Sequence, residues 1–394
     1  MLYSTKMVTF PIRFSHPDDL VPASILRAAK NGGPDQASSA PRANDRRDDH
    51  QYQAPSILPI DVRSPRLGDA AGLRHLDPLY RLDQPDSLLV PISPLRTGLA
   101  SVLPGGRRRR PVFVASAGDR LVGYAQFDVG SWDQRWYAVA LGASVGVFEA
   151  EPVWESILTH AVRAAGLRGV KRLFARVPLT ETVNQAFRRI GWNAYASEVL
   201  FAATDLPRRG GWNRSVRRQI PSDTWGIHQL YGAVVPRPVQ DAEALTSHFW
   251  EVNGRRSTPR RVSQLSWVQT DGHQPIGYAA VRSRGGIHVI DLMCLPDRRE
   301  ILPDLLAAAI SSLPDRSPQR VYCAVRGYQA EVATVLGASG FSSILEQDLL
   351  VKYTTARVLA PVTEAVEFHV EARESLPKRV PTFLQGRARD GSAD

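Results

Sequence analysis

The stretch 287-IHVIDLMCL-295 holds two side chains suited to moving a proton from within an apolar strand, His288 and Asp291. An imidazole titrates near neutral pH and a carboxylate accepts protons, so either type can act as a general base. Strand alternation sends residues three apart to opposite faces, so at most one of the two reaches any single cleft. His160, inside the helical pattern 153-VWESILTHAVRAAG-166, reads as packed or surface-exposed. Cys294 and Cys323 sit in the apolar contexts LMCLP and VYCAV without metal-ligand spacing. They read as buried strand residues, and neither a disulfide nor a metal site is expected.

The formal charge is +10, and lysine occurs at only five positions, so arginine supplies nearly all of the 49 basic residues. Arg107 to Arg110, Arg208 with Arg209, Arg217 with Arg218, and Arg260 with Arg261 are of a type that meets phosphates. They are scattered and not interleaved with aromatic residues, which fits a solvated surface better than a nucleic-acid platform. Nucleic acid is therefore not an expected partner.

The elements that position these groups follow from length and pattern. A chain of 394 residues accommodates two domains of ordinary size. No window approaches the roughly 18 uninterrupted apolar residues of a membrane-spanning helix. The opening MLYSTKMVTFPIRFSHPDDL has no secretory apolar core, so no membrane association is expected and a cytoplasmic location is. Residues 31 to 56 have almost no large apolar side chains and many turn formers, as a flexible linker does, and the tail beyond about residue 375 is similar. These limits give a flexible segment over 1–56, a first domain over 57–207, a second over 208–358, and a partly disordered tail over 359–394.

The two domains are copies. Val62 and Val216, Arg63 and Arg217, Asp69 and Asp223, and Gly72 and Gly226 each differ by 154, as do Gly123-Tyr124-Ala125 and Gly277-Tyr278-Ala279. The offset falls to 148 at Leu158 against Leu306, a net loss of six residues between the GYA strand and the following helix of the second copy, and ends at 149 for Gly191 against Gly340. An ungapped match at turn glycines and apolar anchors marks a duplication. Each copy reads as a short strand, a helix begun by Asp69 or Asp223, and a polar region. A hairpin, a further strand, a helix, a strand, a second helix stopped by glycine, and a last strand follow. That order gives an α/β (α+β) fold, a mixed twisted sheet with helices on both faces in each copy.

With GYA on a hairpin strand and a helix ending in Gly191-Trp192 or Gly340-Phe341, the chain resembles the GNAT superfamily of N-acyltransferases. The resemblance covers about residues 57 to 204 and 211 to 357, two tandem GNAT-like domains. It implies that acetyl-CoA or another acyl-CoA lies where two central parallel strands splay apart, paired with the backbone of the first. In the second copy that backbone is Met293, Cys294 and Leu295. The resemblance also implies a pyrophosphate loop of small residues at the start of the next helix. Those positions hold Pro152 and Trp154 in copy one, with Glu149 and Glu151 nearby, and Glu300 and Leu302 in copy two, where Arg298 and Arg299 remain as phosphate contacts.

The tyrosine that often protonates the departing thiolate is replaced by Phe187 and Leu336, and Tyr328 is the nearby substitute. A polar contact to the CoA falls on Thr180 and Gln329. For a base, copy one offers Tyr137, and copy two offers His288 or Asp291. Two functions follow: an acyl-CoA-dependent N-acyltransferase working from copy two on a small-molecule or protein amine, with a homodimer as a further option; or a catalytically degenerate tandem protein that binds a small ligand or a protein.

Overall fold

The computed structural model describes residues 59–354, apart from 77–78, 91, 104–109, 131–134, 145–149, 180–181, 205, 207–214, 253–261 and 315–318. The segment 1–56, the tail 359–394, Glu149, Thr180 and most of the arginine clusters lie outside the described residues. The strands are β1 (Ile60–Arg63), β2 (Leu79–Arg81), β3 (Val112–Ala117), β4 (Arg120–Val129), β5 (Arg135–Ala143), β6 (Arg172–Pro178) and β7 (Asn193–Thr204) in the first copy. The second has β8 (Val216–Arg218), β9 (Ser263–Asp271), β10 (Gln274–Arg284), β11 (Ile287–Cys294), β12 (Arg320–Arg326) and β13 (Ser342–Tyr353). The helices are α1 (Ala70–Arg74), α2 (Pro94–Val102), α3 (Ala150–Leu167) and α4 (Thr182–Arg189), then α5 (Asp223–Val234), α6 (Arg237–Glu243), α7 (Leu302–Ser311) and α8 (Ala330–Ala338). No helix among the described residues is long and apolar enough to cross a membrane.

All thirteen strands among the described residues belong to one sheet, in the order β1-β3-β4-β5-β6-β13-β7-β12-β11-β10-β9-β8, with β2 attached to β5. The copies exchange their last strands. β13, from the second copy, pairs antiparallel with β6 of the first, and β7 pairs antiparallel with β12 of the second. β7 and β13 then pair with each other, bringing the equivalent residues Glu198 and Gln347 opposite one another. The copy boundary expected at 207/208 falls between β7 and β8, while the sheet runs through β7 and β13 without a break.

Period-2 patterning puts helices on both faces. From β3, Phe113, Ala115 and Ala117 enter the core under α3 with Val153, Ile157 and Ala161. Val112 and Val114 pack oppositely against Leu73 and Leu76 of the α1 region. Copy two repeats this: Ile290, Leu292 and Cys294 face Leu305, Ala309 and their neighbours of α7, while Tyr278, Ala280 and Met293 face Ile227, Leu230 and Tyr231 of α5.

The repeated glycines have mechanical reasons. A Cβ on Gly123 would lie 2.4 Å from Val153 Cγ1, and one on Gly277 would lie 2.7 Å from Leu305 Cδ1, so each glycine lets the main helix close onto the sheet. Gly191 and Gly340 adopt φ of 78° and 90°, the left-handed conformation that ends a helix, and the following aromatic amides return to Phe187 O and Leu336 O.

Candidate active site

Each copy has a pair of parallel strands that part company. β5 pairs with β6 only over Arg135–Tyr137, and β11 pairs with β12 only over Ile287–Ile290. Beyond these points the facing edges lack their neighbour, and the two copies deal with the gap differently.

In copy one the chain fills the gap itself. β2 runs antiparallel to β5, opposite Ala140, Leu141 and Gly142. The next two amides continue the bridge across both strands, Leu82 N–H donating to Val139 O at 2.8 Å and Asp83 N–H to Arg176 O at 3.1 Å. Tyr80 on this segment meets the edge of Trp154, with ring centroids 5.3 Å apart and planes at 88°. Trp154, at the position where the resemblance puts a small phosphate-loop residue, is 1% exposed. Glu151 nearby is paired with Arg189 at 2.6 Å. The backbone positions that an acyl-CoA arm would use in copy one are thus taken by Leu79–Asp83.

In copy two no strand enters the gap among the described residues. The Gln329 side chain reaches across it, Nε2 donating to Leu292 O at 3.4 Å while Oε1 accepts from Arg326 N–H at 3.2 Å. This gap opens into a cavity of about 180 Å³ between the copies. Its wall takes Asp291 and Met293 from β11, Arg326 from β12 and Tyr328 and Gln329 from the turn before α8; from copy one come Asp86, Tyr137 and Arg176.

The cavity floor is a network of buried charge. Arg176 pairs with Asp86 at 3.1 Å, Glu198 at 3.3 Å and Asp83 at 3.8 Å. Arg326 pairs with Glu198 at 2.9 Å and Glu243 at 3.0 Å. Arg282 joins Asp86 of copy one to Asp291, 3.2 Å away. Burial opposes the charge on Arg176, but Glu198 and Asp83 outweigh it and hold its pKa above the ordinary value. For Arg326, burial is outweighed by Glu243 and Glu198. Glu198 also accepts from Gln347 Nε2 at 2.6 Å, where the exchanged strands meet. Tyr231 donates to Glu243 at 2.9 Å, and burial with that carboxylate beside it pushes the phenol pKa up.

The cavity therefore gathers Asp291, Tyr328, Met293 and Gln329 from the second copy's expected site residues, and leaves the others elsewhere. His288 is 1% exposed and shares its face of β11 with Ile290, Leu292 and Cys294, away from Asp291. Its Nδ1 lies 2.7 Å from Ser283 Oγ, and burial lowers its pKa. Cys294 is buried under α7, its thiol pushed up to about 12 by desolvation. Leu295 N–H donates to Ile276 O at 3.0 Å instead of facing the gap. Arg298 is at the surface, paired with Asp271 at 2.6 Å, and Arg299 is exposed beside it. Ile301 and Leu302 at the start of α7 are buried, and Glu300 and Leu302 stand where a pyrophosphate loop has small residues. The residues present fit the amide-rich arm of an acyl-CoA, through the Leu292 carbonyl and Gln329, better than they fit its phosphates.

Sequence reasoning missed Asp83, Asp86, Arg176, Glu198, Glu243, Arg282 and Arg326. Apart from a polar region read as turns, no local pattern marked them, because their common feature is position in space.

No family model matches the chain, and no curated protein matches it. Solved structures do. The chain is similar to a GCN5-related N-acetyltransferase from Sphaerobacter thermophilus (14% identity, TM-score 0.47), over 76% of this chain and 98% of that one. It is similar to a tandem GNAT protein from the clavulanic acid biosynthesis pathway (12% identity, TM-score 0.40), over 63% of this chain and 83% of that one. A putative acetyltransferase from Pyrococcus horikoshii (10% identity, TM-score 0.42) matches 78% of this chain with 94% of its own. On its own topology, the chain folds as two units that share one sheet, with the same order of strands and main helices apart from β2 of copy one and with a splay in each, in keeping with two tandem GNAT-like units.

Proposed function

We propose that the protein is an acyl-CoA-dependent N-acyltransferase with a single working cleft, between β11 and β12, and that copy one is scaffold and cavity wall. The observation that carries this reading is the contrast between the gaps: Leu79–Asp83 fills the first, whereas the second opens into a cavity with Asp291 and Tyr328 on its wall.

The co-substrate supplies an activated thioester. The backbone carbonyl of Leu292 and the Gln329 amide are the groups we assign to its arm, and Arg298 and Arg299 are the side chains that the resemblance assigns to its phosphates. Asp291, held by Arg282, is the carboxylate on the wall to receive the acceptor amine and take its proton. The Tyr328 hydroxyl, pushed up to about 12 by burial, stays protonated at neutral pH and is the proton donor on the same wall.

A second reading, ligand binding without transfer, is favoured by the buried start of α7 and by the Arg298–Asp271 pair, which leave phosphates with little backbone help. Calorimetric titration of the full chain with acetyl-CoA, together with thiol release across a panel of amines, separates the two. Binding with amine-dependent thiol release is expected. Binding without release from any amine would leave the second reading, and no binding at millimolar acetyl-CoA would remove the first. Arg298→Ala with Arg299→Ala is expected to weaken acetyl-CoA binding.

A further inference from the structure

The central cavity, which on the reading above receives the acceptor, has a wall that points to a class of amine. One side is aromatic: Tyr231 and Trp250 have ring centroids 5.5 Å apart, and Trp250 meets Tyr278 edge-on at 5.6 Å and Phe249 at 4.9 Å. All four line the cavity. The rest of the lining is charged, with Asp83, Asp86, Glu243 and Asp291 beside Arg135, Arg176, Arg282 and Arg326, and Tyr231 donating to Glu243 where the two parts meet. Glu198, fully buried behind Arg176 and Arg326, leaves carboxylates in excess by one.

Exposure decides which sign a ligand meets. The Asp291 side chain is 33% exposed, against 17% for Arg176, 16% for Arg326 and 9% for Arg282. Arg176, Arg282 and Arg326 are each paired with carboxylates of the cavity or of its floor, and the most exposed of these paired side chains is the Asp291 carboxylate. Aromatic rings and a carboxylate lining one cavity favour an organic cation, since ring quadrupoles and the carboxylate attract the same sign. The volume of about 180 Å³ compares with roughly 150 Å³ for a cavity that takes benzene. A ligand of one ring or a short branched chain fits.

Resting on the acyltransferase reading, we infer that the acceptor is a compact amine with an apolar or aromatic body and no carboxylate, selected by Asp291 and the Tyr231–Trp250–Tyr278 wall. The space takes an amine with a single ring or short branched body, and an amino acid brings a carboxylate next to Asp291.

The test uses the full chain without acyl-CoA, by calorimetry. Phenethylamine is expected to bind at least tenfold tighter than 3-phenylpropionate, which has the same body and the opposite charge, and tighter than phenylalanine. Asp291→Asn is expected to lose at least tenfold in phenethylamine affinity; should this variant not fold, the ligand series on the unaltered chain decides alone. Equal or tighter binding of 3-phenylpropionate, of phenylalanine or of a short lysine peptide would overturn the inference, as would a folded Asp291→Asn protein with unchanged affinity. Acetyl-CoA binding is measured separately: if it persists while phenethylamine does not bind, this inference falls and the acyltransferase reading stands. Phenethylamine binding without acetyl-CoA binding gives the reverse.

Discussion

Arg63 and Asp69 in the first copy, and Arg217 and Asp223 in the second, form the same clasp six residues apart. Two parallel hydrogen bonds join each pair, at 2.7 and 2.8 Å in copy one and at 2.8 Å for both in copy two. Each carboxylate also accepts an amide three residues before it, from Arg66 at 2.6 Å and Ile220 at 2.8 Å. The bonds from Arg63 hold the Asp69 pKa below the ordinary carboxylate value. Burial pushes Asp223 upward, but Arg217 and the Ile220 amide outweigh it and the net shift is again downward. A carboxylate with a lowered folded pKa contributes stability that is complete above its unfolded pKa and is lost as pH falls through the folded one. Asp69→Ala and Asp223→Ala are each expected to cost about 1–3 kcal/mol at neutral pH. Urea midpoints measured from pH 6 to pH 3 should fall less in the double variant than in the parent.

His288 gives a second pH signature at the same scale, with its window nearer neutrality. Burial lowers its folded pKa, so below about 6.5 the unfolded chain binds a proton that the folded chain refuses. Stability then falls as pH drops from about 6.5 toward the folded value. His288→Asn keeps a polar atom near Ser283 Oγ, and should flatten the urea midpoint between pH 7 and pH 5. An unchanged slope would mean that the imidazole titrates normally.

At the scale of elements, the segment Leu79–Asp83 is the decisive difference between the copies. Its backbone bonds to both β5 and β6, and its Tyr80 is fixed by Trp154. A permanent occupant predicts that acetyl-CoA binds with a stoichiometry near one per chain, because the second potential site is closed. The Leu82 and Asp83 amides should exchange with deuterium as slowly as those of the central strands. Trp154→Ala, which leaves a large buried void, is expected to cost about 3–5 kcal/mol and to speed exchange in this segment. Two equivalents of acetyl-CoA per chain, or fast exchange at Leu82, would show that the segment leaves the gap.

At the scale of the whole molecule, the exchanged strands make the copies interdependent. β6 is completed by β13 and β12 by β7, so a chain divided at 207/208 gives two pieces, each with the other's last strand. Either piece alone exposes an unpaired edge, which invites association. The pieces are expected to be insoluble or self-associated when made separately, and to copurify in equal amounts when made together. Folded, monomeric separate halves would show that the exchange is dispensable. The same crossing produces the cavity, since Arg176 and Asp86 come from one copy and Arg282, Asp291 and Arg326 from the other.

The sequence by itself determined what local chemistry controls. Glycines at 123 and 277, the stops at Gly191 and Gly340, the alternation in β3, β4, β9 and β10, and the Asp69 and Asp223 helix starts specify each unit twice. The opposite faces of His288 and Asp291 followed from strand period alone. Tertiary structure decided which edge each last strand joins, because backbone donors and acceptors are the same on every edge and a period of two does not name the neighbour. It decided that three residues of strand, within a region that reads as turns, close one gap. It also decided the site: a network joining positions 83, 86, 176, 198, 243, 282, 291 and 326 has no sequence spacing to detect, since its order arises only when two copies fold into one sheet.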